Sequence, residues 1–283
     1  MKLQKIMIDG GFTCPNRDGS VGLGGCTFCR TDSFSPAYCK GDIKTQIEAG
    51  KRFFQGKYPD MKYLAYFQSY SNTYGDEEEI VRKYREALDV EDVIGLVIGT
   101  RPDCVPDSIL SRLQEIKSRG YSVQIELGLE SLYDRTLQRV NRGHSVAQSI
   151  DAVKRCADAG FEVCVHLIFG LPGETRDDIL ASAEMLNTLP VTSIKIHQLQ
   201  ILKGTKMAEE WETHPNDFLL FSVEEYASLI VDFIQRLRKD IHIERFASSA
   251  PPALVIAPNW GIKPSEVQKI IDQLYLKSLG ARS

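Results

Sequence analysis

Gly10-Gly11-Phe12-Thr13-Cys14-Pro15-Asn16-Arg17-Asp18-Gly19, continued by Gly24-Gly25-Cys26-Thr27-Phe28-Cys29, is the stretch on which the fold is read. It follows a short run of strand-forming residues at 4–9, so all three thiols belong to one loop at that strand's C-terminal end. Cys26-x-x-Cys29 closes the set, and the flanking glycines let the backbone curl around a bulky group. Three thiolates suit a [4Fe–4S] cluster with one iron left open, because the usual protein complement is four cysteines. Structural zinc competes, but it wants four ligands in a closed tetrahedron. No His is near, and Cys39 is the candidate fourth ligand. A thioredoxin-like pair at Cys26 and Cys29 leaves Cys14 without a role. Buried thiols with no ligand role are the remaining reading, and spacing alone leaves all four open.

Beyond the loop the chain alternates β-rich runs with amphipathic stretches. Strands are expected at 4–9, 62–68, 93–99, 122–128, 161–169 and 193–200, and helices at 42–55, 76–89, 106–119, 145–159 and 176–188. The runs at 93–99 and 161–169 are almost continuously apolar, as parallel strands covered on both faces tend to be. Asp42 and Asp76 are N-cap candidates, while Gly120 and Gly160 read as helix stops. Six such βα units imply right-handed crossovers, a parallel sheet and a site at the strands' C-terminal edge. Periodicity does not separate an open sheet from a barrel.

After residue 200 the pattern changes. Tyr226, Leu229, Ile230, Phe233 and Leu237 mark one helix face, a short strand follows at 241–246, and a last helix is expected at 264–279. The expected division is therefore a barrel over 1–205, carrying the cysteine loop, and an extension over 206–283 packed on it.

Composition sets the class. The 283 residues are 43% hydrophobic and 25% charged with a formal charge of −4, which excludes a disordered, fibrous or strongly cationic chain. A chain this long can bury roughly 75% of its unfolded surface without disulfide staples. Seven cysteines are too few and too unevenly spread for a disulfide scaffold. No apolar run reaches the ~18 residues of a membrane span. The N-terminal residues enter a strand rather than a signal-type apolar region, so a cytoplasmic location is the expectation.

The Cys-x11-Cys-x2-Cys loop, with its phrase CPNRDG at 14–19, resembles the YhcC-like family of radical SAM proteins. That family is related to the Elongator-type radical SAM enzymes and to oxygen-independent coproporphyrinogen dehydrogenase. The resemblance continues through YLAYFQSYSNTY at 63–74, GTRPDCVP at 99–106, ELGLES at 126–131 and NRGH at 141–144. It then takes in HLIFGLPGE at 166–174 and IKIHQLQILKG at 194–204, in the family's order over nearly the whole chain.

What the resemblance implies is a partial (βα)6 TIM-like barrel, with a C-terminal α/β extension, that binds S-adenosylmethionine (SAM). Cys14, Cys26 and Cys29 would ligate one [4Fe–4S] cluster. An external low-potential donor would reduce it, and SAM would be cleaved to methionine and a 5′-deoxyadenosyl radical. Phe28 would cover the adenine side. Ser69, Tyr70 and Ser71 occupy the place of a glycine-rich backbone for the methionyl amine, although this chain lacks those glycines. Arg142, twelve residues after Glu130, matches a Gln/Arg pair and would take the SAM carboxylate. Ile168 and Gln198 fall where backbone groups of the fifth and sixth strands meet adenine. Gly99 stands where relatives carry a ribose-binding Glu, so that contact falls to Glu126 or Glu130. The Elongator relationship raises tRNA as a substrate by analogy only.

Other residues have plainer readings. Cys104, Cys156 and Cys164 are expected as small buried residues, Cys39 as non-ligating, and Glu174 as a cap on the helix that follows it. His166 and His197 are read equally as core or functional side chains. Two non-enzymatic alternatives are an iron–sulfur electron carrier or sensor, and a zinc-stabilised RNA-binding module.

Overall fold

The computed structural model describes residues 2–30, 35–55, 61–248 and 250–280. Seven strands follow the order β1 (Lys2–Ile8), β2 (Met61–Phe67), β3 (Val93–Thr100), β4 (Ser122–Glu130), β5 (Glu162–Phe169), β6 (Ser193–Gln198) and β8 (His242–Arg245). The chain divides into two compact units. One holds Met1–Gly24, Phe34–Gly128 and Gln148–Cys164; the other holds Gly25–Ser33, Leu129–Ala147 and Val165–Ser283.

In the first unit β1, β2, β3 and β4 pair in parallel, Ile6 opposite Ala65 and Val97 opposite Gln124. Parallel neighbours need a crossover, which α1 (Ile43–Phe54), α2 (Glu77–Leu88) and α3 (Asp107–Ser118) supply. α2 shows why these stretches are helical. Asp76 caps the Glu79 amide, three glutamates meet the positive end of the helix dipole, and Ile80, Val81, Tyr84 and Leu88 bury one face. β3 is buried along its length apart from half-buried Ile94. Tyr84, fully buried, packs edge-on against Phe67 at 5.1 Å and donates its hydroxyl to the Asn72 carbonyl.

The second unit contains α4 (Asp134–Arg139), α6 (Arg176–Asn187), β7 (Ile201–Leu202), α7 (Lys206–Thr213), α8 (Val223–Arg236), β9 (Val255–Ala257) and α9 (Pro264–Gly280); α5 (Val146–Asp158) lies mostly in the first. The apolar face read on α8 is buried through Tyr226, Leu229, Ile230 and Phe233, and a Ser222–Glu225 capping box starts the helix. β8, expected as part of an appended segment, pairs in parallel with β6, Ser193 opposite His242. β7 and β9 pair antiparallel. Among the described residues, no helix is long and apolar enough to cross a membrane.

Candidate functional site

The first unit holds the start of the cysteine loop. Turn hydrogen bonds run from the Arg17 and Asp18 amides to the Cys14 carbonyl, and Val21 and Gly22 both donate to the Pro15 carbonyl. Asn16 is fully buried. The Ser71 amide donates to the Thr13 carbonyl at 3.2 Å, which ties the end of β2 to the residue before Cys14. Ser69 is buried with its hydroxyl 3.3 Å from that of Ser35, and the Arg17 guanidinium lies 5.9 Å from the Tyr70 ring centroid. Tyr70 itself has φ +64°, a conformation that costs a non-glycine residue on the order of 1–2 kcal/mol. The serine–tyrosine–serine segment therefore turns through a backbone conformation that favours glycine, without a glycine.

Cys104 sits in this unit too. Burial first, then the Asp103 carboxylate, pushes its thiol up to about 12, and Cys14 acts in the same direction. Burial, with a smaller push from Asp151, lifts Cys156 to about 12, and burial with Asp9 lifts Cys39 to about 11. Cys104 and Cys156 are buried, while Cys39 is half-buried; a thiol raised in this way stays protonated near neutral pH. Arg101 and Asp103 form an almost fully buried ion pair at 2.8 Å.

The second unit holds the end of the loop. Gly25 has φ +79°, which lets the chain reverse immediately before Cys26. The Cys29 amide donates to the Cys26 carbonyl at 3.0 Å, so both thiols leave one tight turn. The turn is fastened to the NRGH segment. Thr27 donates to the Val140 carbonyl at 3.0 Å, and Asn141 Nδ2 donates to the Gly25 carbonyl at 2.8 Å. Arg142, buried, directs Nη1 to Cys26 Sγ at 3.5 Å and Nη2 to Glu130 Oε1 at 3.4 Å. Glu130 and Asn141 both have positive φ, +67° and +52°, so with Tyr70 three of the strained non-glycine residues fall on predicted site motifs.

Phe28 and Ile168 pack against one apolar cluster that includes Val140, Leu171 and Leu199. Gln198 is buried with its side-chain amide engaged twice by the Ser248 backbone, so its place at the end of β6 is held by the segment after β8. The His166 and His197 rings stand 5.4 Å apart at 40°.

Two features differ from the sequence reading or escaped it. Glu174 does not cap α6; Thr175 does, in a capping box with Asp178. Glu174 instead accepts from the Ser131 hydroxyl and is buried, which pushes its carboxyl up to about 7 against the opposing Ser131 and Thr136 hydrogen bonds. Glu126 is buried, its carboxylate accepting from Lys5 at 3.0 Å and from Tyr66 at 2.6 Å. Of the two glutamates, Glu130 is the one beside Arg142. Polar residues alternating along β4, at Ser122, Gln124 and Glu126, were the available signal for the Lys5–Tyr66–Glu126 group, and β1 and β2 gave none for Lys5 or Tyr66.

The donor set suits an iron–sulfur cluster, since all seven cysteines are free thiols and two leave one turn under a guanidinium. Residues 14–186 match the Radical SAM superfamily, and residues 191–275 match the Radical_SAM C-terminal domain. The chain belongs to the radical SAM superfamily. This radical SAM chain is 37% identical over 283 residues to the uncharacterized protein YtqA of Bacillus subtilis, across 96% of its own length and 84% of YtqA. It is 38% identical over 260 residues to protein YhcC of Escherichia coli, across 92% and 82%. The solved structure of Elp3 from the archaeon Methanocaldococcus infernus shares its fold with a TM-score of 0.75 at 18% identity. That likeness covers 98% of this chain and 63% of the archaeal one. The radical SAM fold is thus the α/β, partial (βα)6 TIM-like barrel class expected from the sequence.

Proposed function

We propose that the chain is a radical SAM enzyme in which Cys14, Cys26 and Cys29 hold one [4Fe–4S] cluster. The observation that carries this reading is the Cys26–Cys29 turn with Arg142 donating to Cys26, in a chain of this superfamily. Such a cluster, when bound, would supply the low-potential electron, taken from an external donor, for reductive cleavage of SAM to methionine and a 5′-deoxyadenosyl radical.

The chain's own residues bind and orient. Arg142 neutralises the SAM carboxylate with its planar fork, and Glu130 holds that fork in place. The Ser69–Tyr70–Ser71 turn offers backbone groups to the methionyl amine. Phe28 and Ile168 supply apolar walls that exclude water from the adenine side, and the backbone at Gln198 reads the adenine edge. The catalytic extent is 1–205, with 206–283 shaping access. The Elongator likeness makes tRNA the first substrate class to test.

The test is electron paramagnetic resonance of the dithionite-reduced protein. Added SAM should change the cluster signal in the parent and leave it unchanged in Arg142→Ala. A signal indifferent to SAM in the parent favours the electron-carrier alternative.

A further inference from the structure

Beyond the C-terminal end of β6, the second unit carries a partly open cavity of about 310 Å³. Its lining includes Gln198, Gln200, Trp260 and Lys263, with Val255 and Val267 among the apolar residues. Its volume lies at the lower end of the roughly 300–1,000 Å³ typical of small-molecule pockets. It therefore suits one compact ligand or one extruded unit of a larger one.

Three features of the lining specify the chemistry. The first is a fixed aromatic platform. Trp260 is half-buried, its Nε1–H donates to the Phe221 carbonyl at 3.0 Å, and its ring leans on that of Tyr226 at 5.1 Å. An indole held from behind in this way loses little freedom when a flat ring stacks on it.

The second is charge. In a chain with an excess of acidic residues, the cavity is lined by no Asp or Glu among the described residues, and by one cation, Lys263. The nearest acid in sequence, Glu266, turns back to accept from the Lys263 backbone amide at 2.8 Å. The Lys263 ammonium makes no hydrogen bond or ion pair with the described residues and is exposed at the rim.

The third is uncommitted amide donors. Gln200 accepts from the Ala250 amide through Oε1 at 3.0 Å, which leaves Nε2 directed away from that bond. Asn259 likewise uses Oδ1, from Gly261 at 3.3 Å, and keeps Nδ2. By contrast Gln198 has both amide atoms engaged by Ser248 and serves as a wall.

An aromatic platform, an ammonium and two amide donors, with no acid, describe a receptor for a flat heterocycle that carries acceptors and an anionic group. We propose that this cavity binds a single nucleotide, with the base against Trp260, its carbonyl oxygens at Gln200 and Asn259, and the phosphate at Lys263. The small volume favours a pyrimidine. This names a substrate class for the proposed enzyme and rests on that reading only for its consequence. The binding itself requires neither reduction nor SAM cleavage.

Isothermal titration calorimetry of the full-length, cluster-reconstituted protein tests it, with uridine 5′-monophosphate, uridine and inorganic phosphate as probes. The monophosphate should bind at least tenfold more tightly than either fragment. Lys263→Ala, at an exposed position, should weaken the monophosphate about tenfold and leave uridine unchanged. Trp260→Ala should weaken both, and Trp260→Phe, which keeps a ring in place, should restore part of the loss. Three results overturn the proposal: no saturable heat with the monophosphate, equal affinity in Lys263→Ala, or displacement of the monophosphate by SAM, which would make the cavity part of the cofactor's own site. A failure to cleave SAM leaves the titration intact, and a failed titration leaves SAM cleavage intact, so the two readings fall separately.

Discussion

A guanidinium nitrogen of Arg142 lies 3.5 Å from the sulfur of Cys26. Their partners make this more than proximity: the same guanidinium reaches Glu130, and Asn141, the preceding residue, fastens Gly25, which precedes Cys26. The NRGH segment thus grips the closing turn of the cysteine loop by side chain and backbone together.

One consequence concerns affinity. A charge-assisted contact contributes about 1.5–3 kcal/mol, so Arg142→Ala should weaken SAM binding roughly tenfold to a hundredfold. Removing Arg142 also strands Glu130, which is largely buried. The double variant Arg142→Ala/Glu130→Gln separates the two effects, because it should recover stability without recovering SAM affinity. Equilibrium dialysis with labelled SAM, beside thermal unfolding, reads both.

A second consequence concerns potential. Hydrogen bonds and positive charge near cluster sulfurs favour the reduced, more negative state. Arg142→Ala should therefore shift the reduction potential to more negative values without changing the iron content. Spectroelectrochemical titration checks the direction.

Ligand choice gives a third. Anaerobic reconstitution should yield about four irons per chain. Ala at Cys14, Cys26 or Cys29 should abolish the cluster's absorbance, whereas Ala at Cys104 or Cys156 should preserve it. A protein that takes up only zinc after anaerobic handling contradicts the assignment.

The loop grip can be weighed at Asn141. Asn141→Gly loses the bond to the Gly25 carbonyl but tolerates φ +52°, while Asn141→Ala loses the bond and strains the backbone. Denaturant unfolding should place Asn141→Ala about 1 kcal/mol below Asn141→Gly, with both below the parent.

Glu174 sets a pH dependence. Its carboxyl sits at about 7 in the fold, raised from an ordinary 4.5 by burial. The unfolded chain therefore ionises first, and stability falls as pH rises from about 4.5 to about 7. Glu174→Gln, which keeps an acceptor for Ser131, should flatten that decline and raise the unfolding midpoint at pH 8 more than at pH 5. A midpoint gain independent of pH contradicts it.

Much of this was legible in the residues. The apolar run at 93–99 gave β3 within one residue, and Asp42 and Asp76 cap α1 and α2 as their positions suggested. Periodicity failed where contacts are non-local or short. Nothing in 241–246 says that it will pair with β6, and α4, at six residues, is too brief to show a face. At the site, cysteine spacing marked the loop, but the resemblance alone suggested Arg142. The positive φ of Tyr70 and Glu130 had no signal, because neither is a residue type that favours such a turn. Glu174 misled because a carboxylate just before a helix resembles a cap, and only the fold shows Ser131 holding it elsewhere.

The most direct test of radical SAM catalysis is anaerobic chromatography of the dithionite-reduced, cluster-reconstituted protein incubated with SAM. The expected result is 5′-deoxyadenosine and methionine, formed slowly without substrate and absent in Cys29→Ala. A spectroscopically intact, reduced cluster that binds SAM yet yields no 5′-deoxyadenosine, even with cell extract as a substrate source, contradicts it and leaves the electron carrier.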